Sequence, residues 1–185
     1  AAWAGPLRLS PTHSAILDGI EAADSVAVSA HKWLFQPKDS ALVLFRDVGT
    51  ANAAISFGGG YLVRPNVGVQ GSRSAAAIPL LATLLAWGRE GVVQRLDYLM
   101  GVADAVANAI AKSDRLTLWS QPQTGINVFR PVDSTAAAFV QAVPAGMLST
   151  CVLGGETWVR SVAANPSVDV DLVVDLILAA SRKDT

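Results

Sequence analysis

Nearly every residue between positions 73 and 112 favours a helix, except at Gly88-Arg89-Glu90-Gly91, where two glycines interrupt the run. The interruption predicts two helices, 73–87 and 92–112, with Pro79 as a kink or a late first turn of the earlier one. The pattern changes across it. Upstream, Ser10-Pro11-Thr12 announces a short helix over 13–22. Residues 25–29 alternate as a strand, and 41–45 form the continuous apolar run of a buried strand. Residues 57–70 are glycine-rich, carry Pro65 and read as a loop. Downstream, 116–119 and 125–129 read as paired strands, and 134–143 as a helix stopped by Pro144. Strands over 148–153 and 157–163 and an amphipathic helix over 170–180 follow. The expected division is therefore 1–90 and 91–185, the second part a small α+β lobe.

Composition narrows the function. Hydrophobic residues make up 51% of the chain, which is the composition of a core-forming protein and not of a disordered one. No apolar run reaches the ~18 residues of a membrane span. The nearest, 75–87, is broken by Pro79. The start lacks the basic-then-apolar pattern of a signal peptide, so none is expected. Fourteen basic and fifteen acidic residues are scattered without a basic stripe, which argues against a nucleic-acid partner. One cysteine, Cys151, excludes an internal disulfide and fits a reducing cytoplasm. It and two distant histidines do not make a zinc site, and no metal is expected.

The sharpest local feature is Ser29-Ala30-His31-Lys32-Trp33. A lysine set among apolar residues at the end of a strand is unusual, because lysine is rarely buried without a function. Burial disfavours an ammonium ion, and a neutral amine is the nucleophile that condenses with an aldehyde. His31 and Ser29 add donors suited to a phosphate. A His-Lys pair in a turn is more often part of a solvated loop than a cofactor site, and these five residues alone favour the loop.

The flanking segments add a resemblance. Ala1-Ala2-Trp3-Ala4-Gly5, the stretch Leu17-Asp18-Gly19-Ile20 through Ala23-Asp24-Ser25-Val26, the His31-Lys32-Trp33-Leu34 turn and Phe45-Arg46-Asp47 resemble the group II pyridoxal-phosphate (PLP) decarboxylases. That family includes glutamate, aromatic amino-acid, diaminobutyrate and tyrosine decarboxylases. Gly71-Ser72-Arg73, Trp87-Gly88-Arg89-Glu90-Gly91, Thr124-Gly125-Ile126-Asn127-Val128-Phe129-Arg130 and Val159-Arg160-Ser161-Val162 with Asn165-Pro166 are similar to later family segments, in the same order.

The resemblance implies an α/β chain: the C-terminal part of a fold type I PLP-binding large domain (1–90), then a small α+β C-terminal domain (91–185). It implies a lyase acting on an L-amino acid, a pyridoxal 5'-phosphate cofactor and a cytoplasmic homodimer. Lys32 would hold the cofactor as a Schiff base, with His31 and Ser29 at its phosphate and Ala2 against its ring. Trp3 would border the substrate. Ser72 and Arg73 would lie near the cofactor at the dimer interface, and Arg160 would either meet a substrate carboxylate or serve as a structural ion pair.

Three departures from the family pattern bear on what the chain can do. The aspartate that pairs with the pyridine nitrogen directly precedes the family's Ala-Ala-Trp; here Ala1 opens the chain, and Asp18 and Asp24 do not occupy that position. The apolar opening and the missing upstream half predict a fragment of a longer protein, with strands near Val26 and Leu42 short of neighbours. The only tyrosine near the family's mobile loop is Tyr61, which precedes it. Another fold type I reaction, aldehyde-lyase or aminotransferase-like, or an inactive fragment, is the alternative.

Overall fold

The structure is a computed structural model and describes residues 1–60, 66–67 and 74–182. Contacts divide the chain into two compact units, Ala1–Val93 and Gln94–Thr185.

In the first unit a 3-10 helix, Gly5–Leu9, starts with Pro6 in its opening turn and sinks Leu7 completely. Gly5 lies against strand β1 (Ser25–Val28): a Cβ there would come within 2.7 Å of a Val28 methyl. The helix expected over 13–22 forms instead as two 3-10 turns, Ser14–Leu17 and Ile20–Ala22. Asp18 is extended and Gly19 left-handed at φ 89°, which stops an α-helix between them. β1 pairs antiparallel with β2 (Leu42–Phe45), Ser25 opposite Phe45 and Val28 opposite Leu42. β2 is not the buried strand its apolar run suggests: Val43 and Leu44 are 57% and 55% exposed.

Helix α1 (Val48–Ile55) was not expected from its residues. The Asp47 side chain caps it, accepting from the Thr50 N–H at 3.0 Å and the Thr50 hydroxyl at 2.6 Å. Two short strands, β3 (Ser56–Phe57) and β4 (Asn66–Val67), pair within what reads as a loop. Helix α2 (Ala77–Ala111) begins later than the sequence pattern implied, so that Pro79 sits in its first turn, where no N–H is needed. Its break is a single residue, Gly88, at φ 61° and ψ −175°.

The second unit is an antiparallel sheet in the order β5-β6-β8-β7, made of β5 (Leu116–Leu118), β6 (Ile126–Pro131), β7 (Leu148–Leu153) and β8 (Glu156–Val162). Phe129 and Val159 are register partners and both fully buried. They meet a core that includes Val106, Ile110, Phe139 and Ile177, brought by the end of α2, by α3 (Ala136–Gln141) and by α4 (Val170–Ala180). Phe139 meets Phe129 edge-on at 5.6 Å. On the other face, Trp158 is covered by the edge of Trp119 at 4.9 Å and by the Arg130 guanidinium at 4.7 Å. Arg130 also pairs with Glu156 at 2.8 Å.

Candidate active site

The turn after β1 is built from backbone bonds that follow one another closely. The Ser29 N–H donates to the Ala2 carbonyl at 3.1 Å, which joins the opening residues to the strand end. The Lys32 N–H donates to Ser29 and the Phe35 N–H to Lys32, at 3.1 and 3.0 Å. The Gln36 N–H closes the loop on the Ala30 carbonyl at 3.1 Å, and the His31 N–H reaches Ser40 at 3.3 Å. Reversing the chain in so few residues puts Phe35 in the left-handed region at φ 56°, a cost that a non-glycine residue accepts only where its surroundings enforce it.

Packing anchors this turn from below. Ala30 and Trp33 are fully buried, and Leu34 nearly so. Trp3 meets Trp33 at 5.4 Å between ring centres. Lys32 is half-buried above this pair, its Nζ 5.5 Å from the centre of the Trp3 ring. Among the described residues no carboxylate pairs with Lys32. His31 is exposed beside it and Ser29 is half-buried.

Five of the expected site residues therefore fall in one place: Ala2, Trp3, Ser29, His31 and Lys32. Arg160 lies in the second unit on β8, where its Nε donates to the Ser149 hydroxyl at 3.2 Å across the β7–β8 ladder. Ser72, Arg73 and Tyr61 lie outside the described residues. Asp18 and Asp24 are engaged elsewhere, with Arg8 at 3.0 Å and Arg46 at 3.7 Å. Sequence reasoning passed over Gln36, a polar residue 7% exposed in an apolar stretch; burial of an amide was the available signal. Among the described residues no cluster of His, Cys, Asp or Glu could hold a metal ion.

Residues 1–132 match the model of the pyridoxal-dependent decarboxylase conserved domain. The chain belongs to this family. Among its relatives, aspartate 1-decarboxylase of Aliivibrio fischeri is 31% identical over 144 residues, which are 75% of this chain and 26% of that protein. L-2,4-diaminobutyrate decarboxylase of Rhizobium meliloti is 29% identical over 195 residues, 94% of this chain and 39% of that one. The crystal structure of mouse CSAD superposes with a TM-score of 0.83 at 23% identity, covering 98% of this chain and 44% of that chain. The α/β architecture is thus that of the fold type I PLP decarboxylases, and the family's cofactor is pyridoxal phosphate. The chain spans less than half the length of each of these three proteins.

The residues at the turn fit that cofactor. An amine with no ion-pair partner among the described residues suits an aldehyde, an indole face lies beside it, and the neighbouring His and Ser side chains are donors of the kind a phosphate takes. The buried Trp3 Nε1–H has no partner among the described residues, so this side of the site holds one unused donor.

Proposed function

We propose that this chain forms part of the active site of a PLP-dependent decarboxylase of an L-amino acid, with Lys32 as the lysine that carries the cofactor. The half-buried Lys32 amine over Trp3, within a chain matched to the family from residue 1 to residue 132, is the observation that supports the reading. Bound pyridoxal phosphate supplies an electron sink for the pair left behind when the Cα–carboxylate bond breaks. The chain's own residues do the rest. Lys32 Nζ would hold the cofactor, and the same amine would hold or move a proton at the substrate. His31 and Ser29 would hold the phosphate and so fix the orientation in which the scissile bond is held. Ala2 would pack against the ring, and Trp3 would border the substrate and exclude water on that side.

Ser72 and Arg73 belong to the same proposal as residues near the cofactor, while Arg160 either meets a substrate carboxylate or has a structural role, which its bond to Ser149 supports. So do a cytoplasmic location and a homodimer. The cytoplasmic location rests on the single cysteine. Ile78, Leu81 and Leu85, an exposed apolar stripe 57–76% accessible on the first part of α2, support the dimer. The described helices include none long and apolar enough to cross a membrane.

The test has two parts. Pyridoxal phosphate is added, the product is reduced with borohydride, and the modified peptide is located by mass spectrometry. The label should fall on Lys32 and vanish in Lys32→Ala; a label elsewhere, or none, refutes the site. Amino acids labelled in the carboxylate are then supplied to the whole protein. Release of labelled carbon dioxide with the amine as co-product supports decarboxylation, and an aldehyde product would replace it with the carbon–carbon lyase alternative.

A further inference from the structure

We infer that Gln36 is a positioning residue for Lys32, clamping the turn that carries the lysine to helix α2 through Thr83; this rests on the reading of Lys32 as the cofactor lysine. The Gln36 amide nitrogen has two hydrogens and uses both. One goes to the Leu34 carbonyl at 2.7 Å and the other to the Thr83 hydroxyl at 2.9 Å. The Gln36 main-chain N–H meanwhile closes the loop on Ala30 at 3.1 Å. A single buried residue thus fixes both ends of the loop around Lys32, which is itself two residues from Leu34. The only long-range side-chain anchor in this set is Thr83, forty-seven positions away on α2.

A second contact runs in parallel. Phe35, held at φ 56°, meets Trp87 edge-on at 5.8 Å, so the strained residue of the turn also rests on α2. The left-handed Phe35 needs its surroundings to hold it, and Gln36 with Trp87 provides that hold. Releasing the clamp should let the turn relax toward ordinary backbone angles and move the Lys32 Cα. With no ion-pair partner among the described residues, the Lys32 amine is placed by where its backbone starts the side chain and by the Trp3 ring 5.5 Å from Nζ, so a shift of the Cα moves it off that ring.

Gln36→Met keeps the length and removes both donors; Thr83→Val removes the acceptor and keeps the shape; Thr83→Ser keeps the hydroxyl. Two readouts are taken on the whole protein. In hydrogen exchange without cofactor, the amides of residues 32–36 should exchange at least roughly tenfold faster in Thr83→Val, which loses one hydrogen bond, and in Gln36→Met, which loses two. They should stay at the unsubstituted rate in Thr83→Ser, and amides of β6 should not change in any variant. In borohydride trapping with pyridoxal phosphate, the rate of labelling at Lys32 should fall by about tenfold in the first two variants, because a small misplacement of a reacting group is costly. It should be restored in Thr83→Ser. Unchanged exchange at 32–36 overturns the inference, as does equal labelling of Lys32 in Gln36→Met and the unsubstituted protein. In both cases the assignment of Lys32 survives. If Lys32 in the unsubstituted protein takes no label, that assignment fails and the inference falls with it.

Discussion

The Lys32 amine lies 5.5 Å from the centre of the Trp3 ring, and Trp3 rests in turn on the fully buried Trp33 at 5.4 Å. The site is therefore stacked on the unit's own core. Trp3→Ala should remove the middle layer and destabilise the chain by about 1–3 kcal/mol, the low side of aromatic truncation because Trp3 is half-buried. Trp3→Phe keeps a ring and deletes the buried N–H that lacks a partner among the described residues, so it should cost less than ~1 kcal/mol. Urea unfolding followed by circular dichroism distinguishes the two; equal losses would show that the ring contact contributes nothing.

Two glycines on α2 should respond in opposite directions. Gly88 has φ 61° and ψ −175°, and an added Cβ would touch nothing within 4 Å. Any cost of Gly88→Ala is therefore backbone strain alone, expected at about 1–3 kcal/mol. Gly101 lies inside the helical segment that follows, also with open space around its Cα. Gly101→Ala should stabilise by roughly 0.5–1 kcal/mol. Thermal unfolding of the pair gives the signs directly.

Asn127 is 2% exposed, donates from Nδ2 to the Ala103 carbonyl at 3.0 Å, and has a buried Oδ1 with no partner among the described residues. In Asn127→Asp a protonated carboxyl could still donate to Ala103, whereas a carboxylate could not. Burial would raise the folded pKa of the new acid above its unfolded value of about 3.9. Stability would then be retained below that value and lost as the pH climbs through and beyond it. Denaturation midpoints of the variant should fall between acidic and neutral pH relative to the parent, and a constant gap would contradict this.

Asp47 gives the opposite sign. The Thr50 hydroxyl and then the Thr50 N–H, both donating to its side chain, hold the carboxyl below the usual aspartate value, with burial opposing weakly. A depressed folded pKa contributes stability above the unfolded pKa, and that contribution disappears as the pH falls through the folded one. In an NMR titration, Thr50→Val should move the Asp47 midpoint up toward the ordinary range. No movement would mean the bond from the Thr50 hydroxyl to Asp47 does not form in solution.

Much of the second unit was legible because each of its elements carries its own pattern. The closing helix was expected over 170–180 and forms at Val170–Ala180, since the apolar spacing is helical and Asp169 caps it through the N–H groups of Asp171 and Leu172. Segments whose structure depends on a few backbone angles were harder to read. The stretch 13–22 has helix-like residues, but left-handed Gly19 divides it. Helix α1 was hidden because Gly49 and Thr50 weaken its propensity, although Asp47 three positions before Thr50 was a usable cap signal. β2 looked like a core strand because an apolar run reports preference for burial and not what covers it. At the site, Lys32 was legible only through the order of the segments around it. The link from Gln36, in the same turn, to Thr83 spans forty-seven positions and leaves no local trace, so only the fold could reveal it.

Of the five tryptophans in the chain, Trp3 and Trp33 stand together under Lys32. That arrangement gives the site a resident fluorophore. A chromophore attached at Lys32 that absorbs where indole emits would quench this pair by energy transfer, since the Trp3 ring centre lies 5.5 Å from the amine and the Trp33 ring 5.4 Å from Trp3. Loading of the site could then be followed by emission in real time, in a protein carrying no added label.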